Sequence, residues 1–145
     1  MILYLDASAV VKRYVIEPHS KPVIALISRA TAVATSLVSR AEVSAAFARA
    51  VRMGVLDEAG GRRAQRRFVH DWPDFVRIPV TEALVGRAET VAWDYALRGY
   101  DSVQLAAALT WRDAIGQDVL LATFDQQLAQ AGAEAGLQVW PGTQA

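Results

Sequence analysis

Cysteine is absent from the 145-residue sequence, which excludes disulfides, thiolate zinc sites and cysteine nucleophiles. Histidine is scarce. His19 and His70 are the two present, and they lack any paired ligand spacing, so a histidine metal centre or a Ser-His-Asp triad is unsupported. Net charge is missing as well: 15 basic and 15 acidic residues cancel, and no global basic field announces nucleic acid, although local patches stay open to phosphate. Lysine is limited to Lys12 and Lys21, leaving arginine, the better bidentate phosphate ligand, as the main cation. No run approaches the ~18 apolar residues of a membrane span. The N-terminal apolar run, broken by Asp6, Lys12 and Arg13, is too short for a secretory signal. These absences lead us to expect a soluble, cytoplasmic protein with no membrane association.

What is present is a hydrophobic fraction of 53%, enough to give one domain a real core. Residues 1–141 are expected to form that domain and 142–145 a short C-terminal tail. Ile2 to Leu5 reads as a buried parallel strand that runs into Asp6 and then into a helix marked by Val10, Val11 and Tyr14. Ser20 is placed to cap a second helix, Ala32 to Thr35 reads as a second strand, and Ser36 to Arg52 as a long Ala-rich helix. Asp57 to Trp72 predicts a polar helix, Phe75 to Val80 a strand, and Thr81 the cap of a helix reaching Leu97 and closing at Arg98-Gly99. An almost wholly apolar helix follows from Tyr100, then a strand over Val119 to Ala122, a helix from Gln126 to about Ala131, and an edge strand over Leu137 to Trp140. Strands alternating with helices imply an α/β domain whose central, mainly parallel sheet carries helices on both faces. The four tryptophans, Trp72, Trp93, Trp111 and Trp140, sit in apolar context and read as packing residues.

Four carboxylates occupy related positions. Asp6 and Asp125 leave apolar strands, and Glu42 and Asp101 open the two most apolar helices. Each has an ordinary reading. Asp6 serves as an N-cap, Ser39–Glu42 and Asp101–Gln104 have capping-box spacing, and separate caps need no common purpose. The second reading is convergence, since crossover connections bring strand exits to one edge of a parallel sheet. Converging carboxylates repel one another unless a cation joins them, and oxygen-only donors select a hard ion, Mg²⁺ or Mn²⁺, suited to phosphodiester hydrolysis. Ser8 and Thr123 lie two residues from Asp6 and Asp125, near enough to orient water, or equally to cap locally. Arg62, Arg63, Arg66 and Arg67 form a cationic helix face, read either as solvated surface or as a patch for RNA phosphates or an acidic partner.

The segments YLDASAVVKRYVIEPHS, SRAEVSAAFARA, LRGYDSVQLAAAL and LLATFDQQL, in this order, resemble the acidic motifs of the PIN-domain nucleases. More narrowly they resemble the VapC-type ribonuclease toxins of toxin–antitoxin systems, along essentially the whole chain. The resemblance implies a single PIN-like domain and an Mg²⁺-dependent endoribonuclease, with Mn²⁺ able to substitute. It casts Asp6, Glu42, Asp101 and Asp125 as an acidic quartet around a metal-activated water, Asp6 and Asp101 being the principal ligands. It also implies an RNA substrate, a homodimer and a cognate VapB-like antitoxin. Ala7 stands where that family often has Ser or Thr, and Gln104 where it often has His. The alternative is a PIN-like module that binds RNA or protein without catalysis. Two other readings fit poorly: a haloacid-dehalogenase-like phosphatase wants a second Asp where Ser8 stands, and a receiver domain wants a late Lys that is missing.

Overall fold

Ile2–Leu5, the first strand (β1), is the middle of a five-stranded sheet in which every pairing is parallel. In the computed structural model, which describes residues 1–142, the strands run in the order β3-β2-β1-β4-β5, with β2 at Ala32–Ser36, β3 at Val76–Ile78, β4 at Leu120–Ala122 and β5 at Gln138–Trp140. Residues 143–145 of the expected tail lie outside the described residues. The register places Tyr4 between Ala34 and Leu121. A strand so placed has both faces covered, and its sequence is correspondingly apolar throughout.

Alternation along β1 divides the core. Leu3 and Leu5 point to one face, where they meet helices α1 (Ala7–Tyr14), α2 (Ser20–Arg29), α3 (Ser39–Arg52) and α4 (Glu58–Asp71). Tyr4 points to the other, against α5 (Glu82–Tyr95), α6 (Gly99–Ile115) and α7 (Gln126–Glu134). The chain builds outward from β1 through β2 to β3 over the first face, then crosses back to β4 and β5 over the second. The two directions part between β1 and β4, a topological switch point, and such a crevice at the carboxyl ends of the strands is where open α/β sheets hold ligands.

Several boundaries differ from expectation for local reasons. Ser20 is the first residue of α2 and not its cap: His19, at φ 72, takes the cap position, and the Ser20 hydroxyl donates to the Val15 carbonyl and accepts from the Glu17 N–H. Ser36 belongs to β2, and α3 starts only at Ser39. Neither capping box forms. Val38 and Arg98 hold the N-cap positions of α3 and α6 without side-chain caps, so Glu42 and Asp101 are free to turn elsewhere. The helix before Arg98 ends at Tyr95, with Ala96 left-handed at φ 53, and Arg98 opens α6. β3 is shorter than the Phe75 to Val80 expected, β4 starts at Leu120, and α7 extends to Glu134. Trp72 and Trp111 are buried as packing residues, whereas Trp93 is 87% exposed and does not pack in the core.

Helices α3 and α4 pack at a close approach that needs glycine. A Cβ built on Gly61 would lie 2.5 Å from Val51 Cγ2, a stiff β-branched neighbour on α3. Gly61→Ala alone is therefore expected to destabilise the fold by about 1–2 kcal/mol, overpacking outweighing the ~1 kcal/mol gain in helix propensity. In a Val51→Ala background the same change should stabilise. Urea denaturation of the single and double variants reads both signs, and a stabilising Gly61→Ala in the parent would contradict this packing.

Candidate active site

Asp6 directly follows β1 and is 4% exposed. The apolar strand delivers it to the sheet edge, and its side chain caps α1 by accepting from the Ala9 N–H at 3.0 Å through Oδ1. The Ser8 hydroxyl donates to the same oxygen at 2.7 Å, and the Thr123 hydroxyl, leaving β4, donates to Oδ2 at 2.7 Å. A carboxylate has about four lone-pair positions, so these three donors leave one for anything further. Ser8 and Thr123 are thus bonded to Asp6 itself. Each also ties down the following loop: Ser8 Oγ accepts from the Phe124 N–H and Thr123 Oγ1 from the Asp125 N–H.

Asp125 follows on the same turn and caps α7 through Oδ1, which accepts from the Leu128 N–H at 2.9 Å. Its other oxygen faces α6. There the Arg98 guanidinium spans two acids, Nη2 donating to Asp125 Oδ2 at 3.2 Å and Nε to Asp101 Oδ2 at 3.1 Å. Asp101 lies in the first turn of α6. Glu42, in the first turn of α3, comes from the opposite face of the sheet and is held by Gln104 of α6, whose Nε2 donates to Glu42 Oε1 at 2.9 Å.

Gln104 has no freedom to turn over. Its Oε1 accepts from the Tyr4 hydroxyl at 2.6 Å, while Nε2 also donates to Ser39 Oγ at 2.9 Å. The Ser39 hydroxyl in turn bonds to Thr35 Oγ1, whose own hydrogen is donated to the Leu5 carbonyl. Burial lifts the Tyr4 phenol well above its ordinary range, with the charges of Asp6 and Glu42 adding to the effect, so it stays a donor. Every buried polar side-chain atom among the described residues has a partner. Such a saturated network fixes one arrangement, because leaving any member unpaired in a low dielectric is costly.

All four sequence-predicted acids therefore stand at the carboxyl edge of the sheet. Burial, with a smaller contribution from the Glu42 charge, raises the Asp6 carboxyl from 3.8 to about 6 against the opposing effect of the Thr123, Ser8 and Ala9 bonds. Glu42 is raised by burial and by Asp101, opposed by Gln104, and Asp101 is raised by burial and by Asp125, opposed by Arg98. Mutual repulsion links the set in sequence. Among the described residues, no three acidic or histidine side chains are grouped closely enough to hold an ion as they lie. Two of the acids turn an oxygen to Arg98.

The arginine face of α4 makes no hydrogen bond or ion pair with these four acids among the described residues. Arg62, Arg63, Arg66 and Arg67 are exposed, and Arg62 pairs loosely with Glu58 at 3.6 Å. The Arg67 guanidinium sits 5.9 Å from the ring centroid of Tyr14, the last residue of α1, in a pocket shared with Arg13, Arg66 and His70. Asp6 is at the other end of α1, about 12 Å away at 1.5 Å per residue, so this pocket is not part of the carboxylate edge. Sequence reading missed Arg98 and the Tyr4–Gln104–Ser39 network. The signals were an arginine three residues before Asp101 at a helix start, and a glutamine inside an apolar helix.

The raised carboxyl of Asp6 makes the fold sensitive to pH. A folded-state pKa above the unfolded value contributes stability that is complete below pH 3.8 and lost as pH rises through about 6. In chelator-treated protein, the parent should lose about 2 kcal/mol relative to Asp6→Asn between roughly pH 4.5 and 7.5. Denaturation of both proteins across that range is the measurement. Parallel profiles would show that burial does not perturb Asp6.

A family model described as the PIN domain matches residues 3–134. Ribonuclease VapC49 of Mycobacterium tuberculosis (strain ATCC 25618 / H37Rv) is 34% identical over 141 residues, covering 97% of this chain and 95% of that protein. Among solved structures, FitAcB from Neisseria gonorrhoeae is similar at a TM-score of 0.67 and 18% identity, over 95% of this chain and 96% of its own. VapBC2 from Rickettsia felis, solved with a promoter DNA fragment, is similar at a TM-score of 0.65 and 11% identity, over 96% and 97%. The structures support the fold, and the sequence matches carry the relationship. A PIN model spanning residues 3–134 and a VapC relative of 34% identity along nearly the whole length place the chain in the PIN-domain family, among its VapC-type ribonuclease toxins.

Proposed function

We propose that the protein is a divalent-cation-dependent endoribonuclease, the toxin of a toxin–antitoxin pair, hydrolysing RNA at the carboxyl edge of its sheet. The observation that carries this reading is the convergence of Asp6, Glu42, Asp101 and Asp125, from four separate stretches of sequence, on one edge where burial and mutual repulsion raise three of their carboxyls. That donor set fits a hard ion. It is all oxygen, it carries more negative charge than its one arginine offsets, and that cationic side chain already lies between two of its members.

Asp6 and Asp101 would be the principal ligands of Mg²⁺, or of Mn²⁺ in its place, with Glu42 and Asp125 completing the site directly or through water. When bound, the ion supplies the positive charge that polarises a phosphate and acidifies water. The rest falls to the chain. Ser8, Ala9 and Thr123 hold the Asp6 carboxylate in one orientation, Gln104 holds Glu42, and the N-termini of α1, α3, α6 and α7 direct favourable potential at anions on this edge. The carboxylates of Asp6 and Asp125 cap α1 and α7 while keeping oxygens for the site, so capping and ligation would share the same residues.

The relatives support an antitoxin partner. A toxin–antitoxin complex from Klebsiella pneumoniae and the VapBC2 complex share this fold. An antitoxin of VapB type would fit the acidic edge by offering it a basic side chain. A homodimer and a cytoplasmic location belong to the same proposal, and no helix of the described residues is long and apolar enough to cross a membrane. A binding module without catalysis is the poorer reading, because all four acids are retained at the edge.

Antitoxin-free protein given RNA and Mg²⁺ should cleave, chelator should stop it, and Mn²⁺ should restore it. Asp6→Asn and Asp101→Asn should each lower cleavage by roughly 100-fold or more, since even removing a residue that supports a metal ligand costs ~10–100-fold. Circular dichroism should show both variants folded. Cleavage that persists in chelator, or variants as active as the parent, would overturn the proposal.

A further inference from the structure

Arg98 is tied down at its backbone and free at its tip. Its carbonyl accepts from the Ser102 N–H at 2.9 Å and the Ser102 hydroxyl at 2.8 Å, while its side chain is 73% exposed. The guanidinium nonetheless lies between Asp101 and Asp125, within 3.1 and 3.2 Å of their Oδ2 atoms. A guanidinium has five N–H groups in a fixed fork, and these contacts engage only Nε and Nη2. Without it the two acids would face each other directly, and Asp125 already raises the Asp101 carboxyl.

Such a contact is strong enough to place the acids and weak enough to yield. Ion pairs with an exposed partner contribute little, and a divalent ion carries twice the charge at shorter range. The contact also occupies Oδ2 of each acid, an oxygen otherwise open to an ion.

We propose that Arg98 is a built-in counter-charge that holds Asp101 and Asp125 in the metal-free protein, gives way when a divalent ion binds, and then grips an RNA phosphate at the edge of the site. The inference rests on the ribonuclease reading above. It makes Arg98 a competitor for metal and a contributor to substrate binding. A structural salt bridge alone would be neither.

Mn²⁺ binding to RNA-free protein, measured by calorimetry, tests the first role. Arg98→Ala should bind Mn²⁺ roughly three- to tenfold more tightly than the parent, because the competing charge is gone. Arg87→Ala, which loses an arginine paired with Asp113, controls for the general loss of a positive charge and should bind Mn²⁺ nearly as the parent does. RNA cleavage at saturating Mn²⁺ tests the second role: KM should rise roughly fivefold in Arg98→Ala with kcat little changed, and Arg98→Lys should recover part of the loss. Unchanged or weaker Mn²⁺ binding by Arg98→Ala, or an unchanged KM, would overturn this role for Arg98 while parent binding and cleavage leave the ribonuclease reading standing. A parent that neither binds Mn²⁺ nor cleaves RNA would overturn that reading and this one with it.

Discussion

A carboxylate at the end of a buried strand, 4% exposed and hydrogen-bonded through both oxygens, sets the terms for the rest of this molecule. Burying charge is costly, and the bonds from Ser8, Ala9 and Thr123 only partly offset it, so the Asp6 carboxyl remains raised to about 6. Nearby stand three more acids of the same sign. Two kinds of contact keep the edge intact. Neutral donors hold Asp6 and Glu42 through hydroxyl and amide groups, and a cation, Arg98, holds Asp101 and Asp125.

The fold makes this crowding unavoidable. Parallel pairing sends every strand exit to one edge, and reversal of the chain's direction between β1 and β4 opens a crevice there. Thr123, just past β4, reaches Asp6 because Leu5 pairs with Ala122. Gln104 bridges the two helical layers: it starts on α6, touches Tyr4 of the central strand, and ends on Glu42 of α3. Scaffold and site are therefore one network, and the same residues that close the core orient the acids.

Much of this is visible in the sequence because it rests on local pattern. The apolar runs of β1 and β4, the acid after each, and the nearly all-apolar α6 identify a parallel sheet and its edge without a partner. The caps at Asp6, Thr81 and Asp125 are local too, and they form as the spacing predicts. What spacing misjudges are the choices decided by distant groups. Ser39 and Glu42 have capping-box spacing, yet Gln104, 65 and 62 residues away, captures both. Arg98 looks like a helix terminator until Asp125, 27 residues on, is folded beside it. Trp93 shows the reverse failure, since apolar neighbours in sequence do not oblige α5 to turn that face inward.

The edge carries negative charge at a cost, and under the proposed function a bound cation relieves it. Carbon-detected NMR titration of the Asp6 carboxyl reads that cost directly, without and with Mg²⁺. The expected result is a midpoint at about 6 in metal-free protein that falls when Mg²⁺ is present. A metal-free midpoint in the ordinary aspartate range near ~3.9, unmoved by Mg²⁺, would contradict it.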